Sequence, residues 1–93
     1  MKKDKTISVI KIAIKSIEDE LVKSRTKEPE IPINHLELFK LYLIEMLNEI
    51  NNNEMQDRNN RIKKMSHIIL DSWPMNSSIG EKIMLAESQY MNL

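Results

Sequence analysis

His35 and His67 are the chain's two histidines, set in different helices, and Asp71 follows His67 by four residues. On a helix that spacing places both groups on one face, which is half of a metal site. Completing the site needs further ligands, and no HExxH, Glu-x-x-His pair or cysteine supplies them. Ser66 beside His67 forms no triad, because neighbours on a helix point about 100° apart. Gly80 is the one glycine, so a phosphate-cradling glycine loop is excluded. Carboxylates such as Glu45, Glu49 and Asp71 are spread over different faces, as solvated groups are. The sequence points away from an enzyme and assigns no catalytic residue, metal site or cofactor.

A second kind of chemistry is anion recognition. Arg58, Arg61 and Lys64 recur at intervals of three, which on a helix makes a short basic ridge able to meet phosphate, RNA or an acidic protein patch. Glu54 and Asp57 sit beside it, and no aromatic residue interleaves for base stacking, so salt-sensitive affinity would be weak. A helix-turn-helix reading fails on the following helix, where Lys82 stands alone beside Glu81 and Glu87. Nucleic-acid binding is therefore the alternative reading and not the leading one. Trp73, the single tryptophan, precedes Pro74 and either plugs the end of a core or offers an exposed anchor to a partner.

The elements that must position these groups follow from hydrophobic spacing. Ile7, Ile10, Ile14, Ile17 and Leu21; Leu36, Phe39, Leu43, Met46 and Ile50; Ile62, Met65, Ile69 and Trp73; and Ile79, Ile83, Ala86, Tyr90 and Leu93 repeat at threes and fours. The pattern predicts an all-α, antiparallel bundle of four helices, at about 5–24, 35–50, 54–72 and 79–91. Pro29 and Pro32 separate the first two. Asn34 with Glu37 reads as a capping box for the second, with Ile33 against Leu38 as its staple. Asn53 with Gln56 can cap the third, although a start near Arg61 stays open. So short a link between the second and third helices requires them to run antiparallel. Pro74 stops the third helix, and Ser78 with Glu81 repeats the capping-box spacing for the fourth.

Some apolar residues exceed what one stripe per helix uses. Ile12 falls nearly opposite the first stripe. Leu38, Leu41 and Ile44 lie off the second, on a helix where nine of the twelve residues from Leu36 to Leu47 are apolar, counting Tyr42. Either the second helix is the central element of the bundle, or this surplus is an interface for a second copy or another protein. With Arg58, Arg61, Lys64 and Trp73, these residues are the candidate partner-binding set. The seven methionines suit adaptable surfaces and equally suit core gaps.

Ninety-three residues support one core and hence one domain over 1–93. Fourteen basic residues balance fourteen acidic ones, so no global field draws nucleic acid or anionic membrane. The absence of cysteine fits a reducing compartment. Lys11 and Lys15 interrupt any signal-peptide core, and no stretch approaches the roughly 18 apolar residues of a membrane span. A cytoplasmic protein is expected. In size and helicity the chain is similar to small bacterial immunity proteins and phage-encoded inhibitors, short bundles that plug a toxin or defence enzyme. That resemblance implies a non-enzymatic inhibitor acting through a protein partner.

Overall fold

A computed structural model describes residues 2–25, 31–55, 64–74 and 77–93, with the side chain of Lys2 set aside. Four helices are present among the described residues: α1 (Lys2–Lys23), α2 (Ile33–Asn51), α3 (Ser66–Ser72) and α4 (Ser78–Met91). Lys3 Nζ reaches Asn53 Oδ1 at 2.8 Å, and Lys40 Nζ reaches Glu18 Oε2 at 3.5 Å. These contacts join opposite ends of α1 and α2, so the two run antiparallel. Tyr90 donates its hydroxyl to Glu49 at 2.7 Å, which brings the C-terminal ends of α2 and α4 together. Trp73 lies against Phe39, and Lys64 against Tyr42, so α3 runs back along α2. The result is an up-down-up-down bundle.

The element that packs along its length against two neighbours is α1, against α2 and α4, and not α2 as the sequence alternative had it. This explains a rotation of its buried face. Thr6, Ile10, Ala13 and Ile17 are buried, while Ile7, Ile14 and Leu21 are half-buried. On a helical wheel the buried centre lies about 50° from that of the isoleucine stripe. A helix wedged between two others buries an arc wider than one stripe. The described members of the other stripes fall where expected: Leu36, Phe39, Leu43, Met46 and Ile50 on α2, Met65, Ile69 and Trp73 around α3, and Ile83, Ala86 and Tyr90 on α4 are buried, Ile79 and Leu93 are half-buried, and Ile62 lies outside the described residues.

The helix ends depart from the sequence reading in three places. Helix α2 begins two residues early, with Pro32 at the N-cap and no side-chain cap. The Pro32 carbonyl accepts from the amides of His35 and Leu36 at 3.1 and 3.2 Å, and the proline ring, with φ −55°, suits the entry to a helix. The Asn34–Glu37 box therefore does not form. The staple positions fall instead on Ile31 and Leu36, both buried in the core.

At the other end Asn53 terminates α2 and caps no following helix. Its φ is 55°, its amide donates to the Ile50 carbonyl, and the Glu54 amide donates to the Glu49 carbonyl at 2.9 Å. This is a Schellman closure with asparagine in the left-handed position. Residues 54 and 55 are not helical, so a third helix starting at 54 is overturned. Arg61, the alternative start, lies outside the described residues; the described helix begins at Ser66.

The cap of α4 is Ser77, one residue before the expected Ser78. Its Oγ accepts from the Gly80 amide at 3.0 Å. Gly80 then occupies the place a capping-box glutamate needs, and Glu81 is exposed. A Cβ on Gly80 would sit 3.0 Å from Ile69 Cγ2, so glycine is what lets α3 approach α4 here. Trp73 leaves α3 with ψ 156°, the extended geometry required before Pro74.

Candidate protein-binding surface

Helix α2 carries more apolar residues than its core face holds, and the surplus points outward. Leu41 is 59% exposed and Leu38 38% exposed, three residues apart on adjacent turns. Ile44, the third member of the expected strip, is half-buried and contributes less. Glu37 and Glu45 are exposed one turn to either side of Leu41. Lys40, the one cation of α2, pairs with Glu18 of α1. The exposed strip is thus two leucines rimmed by carboxylates.

Ile12 is 51% exposed, as its position on the wheel predicts. Glu18, which reaches α2 through Lys40, lies about 120° from Ile12 around α1. Ile12 is therefore turned away from α2 and belongs to a separate surface. Val22, Ile33, Leu70 and Leu85 are further exposed apolar side chains on α1, the start of α2, α3 and α4.

Trp73 is no exposed anchor. It is only 6% exposed, its ring stacks on Phe39 with centroids 5.2 Å apart, and its Nε1 donates to His35 Nδ1 at 3.2 Å. An indole has a single N–H to satisfy, and a half-buried imidazole one turn before Phe39 satisfies it. His35, Phe39 and Tyr42 continue as successive near-parallel rings, and the Lys64 ammonium sits 4.8 Å from the Tyr42 centroid. Lys64 is thus engaged by an aromatic face of its own fold. Arg58 and Arg61 lie outside the described residues.

The largest polar feature went unnoticed in the sequence. Glu87 is completely buried, and its carboxylate accepts from the amides of Lys64, Met65 and Ser66, each at 3.0 Å, and from the Ser66 hydroxyl. These amides open α3, whose N-cap Met65 has no side chain able to accept them. A buried carboxylate is tolerable only when hydrogen-bonded this fully. The signal was available: Glu87 follows Ile83 by four residues and so falls inside the buried arc of α4.

His67 and Asp71 are both exposed on α3. Among the described residues no three metal-binding side chains come together. Two hollows remain. An open groove of about 400 Å³ runs between α1 and the start of α4, with Asp19, Glu20, Lys23 and Lys82 on its walls. A smaller one of about 140 Å³ lies between α3 and α4, bounded by Leu70, Trp73, Met84 and Glu81. No described helix is long and apolar enough to cross a membrane. No protein-family model matches the chain, and no curated protein matches it.

Proposed function

We propose that the protein is a non-enzymatic interaction module of the cytoplasm, an inhibitor or immunity-type protein that acts by occupying a partner's surface. The observation that supports this reading most is the exposed leucine pair on α2, apolar surface that the bundle core does not use. An exposed apolar strip on a rigid helix is the usual means by which one helix recognises another protein.

The test is affinity capture from the native host with mass-spectrometric identification, run with the unaltered chain and with Leu41→Asp. A specific partner retained by the first and lost by the second supports the proposal. Light scattering on the same two proteins covers the homodimer. If Leu41→Asp changes neither partner capture nor oligomeric state, the α2 strip is not the working surface.

A further inference from the structure

The geometry points to a cationic amphipathic helix as the occupant of the α2 strip. This inference rests on the interaction reading above and adds the chemistry of the partner. Leu41 projects almost directly away from the core, with Leu38 beside it. The charged groups next to this pair are Glu37 and Glu45, four residues before and after Leu41 and both exposed. Lys40 could neutralise them but is drawn across to Glu18. Glu49, on the following turn, faces the Tyr90 hydroxyl. The strip itself is therefore negative at both ends of a short apolar ridge, with the Lys64 ammonium held to one side over Tyr42.

Symmetry argues against a second copy on this strip. Two α2 helices crossing antiparallel at Leu41 would place each Glu37 against the other chain's Glu45. Crossing parallel, Glu37 would meet Glu37. Like charges oppose in both arrangements, whereas a helix with an apolar stripe flanked by lysines or arginines answers both the leucines and the glutamates.

Two synthetic peptides test this, sharing one leucine stripe and differing only in lysine or glutamate flanks. Binding to the full chain is followed by fluorescence anisotropy at low and physiological salt. The lysine peptide binds about tenfold tighter than the glutamate peptide, with the gap narrowing as salt rises. Glu37→Lys with Glu45→Lys inverts the order, and Leu41→Asp lowers binding of both peptides. Equal binding, binding of neither, or an order unchanged by the double reversal overturns the inference. If only the charge preference fails while Leu41→Asp still removes the captured partner, the interaction reading survives without it. If Leu41→Asp is silent in every assay, both fall.

Discussion

Replacing Glu87 by glutamine keeps the shape of the side chain and removes its charge, which isolates what the buried carboxylate contributes. In the native bundle one oxygen accepts from Lys64 and Met65 and the other from the amide and hydroxyl of Ser66. Glutamine retains one acceptor oxygen. If that oxygen faces Lys64 and Met65, the amide nitrogen confronts the Ser66 N–H; the hydroxyl can turn to accept from it, but the backbone donor is stranded. A stranded buried donor costs about 1–3 kcal/mol, and each of the two remaining bonds loses roughly 1 kcal/mol of charge assistance.

The expected loss is about 3–5 kcal/mol, a large share of the ~5–15 kcal/mol of a domain this size. Urea unfolding followed by circular dichroism measures it, and an unchanged slope confirms that the loss is in stability. Ser66→Ala removes one donor and leaves the carboxylate its three amides, so it costs about 1 kcal/mol. Glu81→Gln, exposed on the same helix, should stay within about 0.5 kcal/mol of the parent. Hydrogen exchange of the Lys64, Met65 and Ser66 amides should accelerate in Glu87→Gln well beyond that of the α1 core. A Glu87→Gln protein as stable as Glu81→Gln, with those amides still protected, refutes the reasoning.

Four further outcomes follow from the same contacts. Trp73→Phe preserves stacking on Phe39 and loses the bond to His35, for about 1–2 kcal/mol by urea unfolding; the parent's tryptophan emission should be blue-shifted and poorly quenched by acrylamide. Gly80→Ala gains roughly 1 kcal/mol of helix propensity yet presses a Cβ onto the β-branched Ile69, so the thermal midpoint should fall; a rise shows that α3 can yield. Tyr90→Phe loses the link to Glu49 and about 1 kcal/mol in the same assay. Leu41→Asp should leave stability within about 0.5 kcal/mol while Leu43→Asp, on the buried face, prevents folding, as circular dichroism will show.

Hydrophobic spacing was the legible part of the sequence because burial is what makes a helix stripe apolar, and three of the four stripes lie as read. Caps were less legible, for physical reasons that differ by site. Ser77 and Ser78 can both cap, and the choice is made by Gly80, which admits the close approach of Ile69. Asparagine serves an N-cap and a left-handed helix end equally well, so Asn53 alone could not say which it was. The start of α3 was not encoded locally at all. Its acceptor is Glu87, more than twenty residues downstream, and no rule confined to neighbouring positions could place it.

The polar contacts also bear on which side chains are available to a partner. Of the cations on which the nucleic-acid reading rests, Lys64 lies over Tyr42 and its amide is held by Glu87, while Arg58 and Arg61 lie outside the described residues. An exposed-tryptophan reading asks for an indole in water, yet Trp73 is spent between Phe39 and His35. Trp73 closes the seam between α2 and α3, and moving it outward to meet a partner would open the core it seals. Leu38 and Leu41 are under no such obligation. Leu41 is 59% exposed and Leu38 38%, so a partner can bury their outer surfaces without any rearrangement of the fold, which the buried tryptophan does not allow.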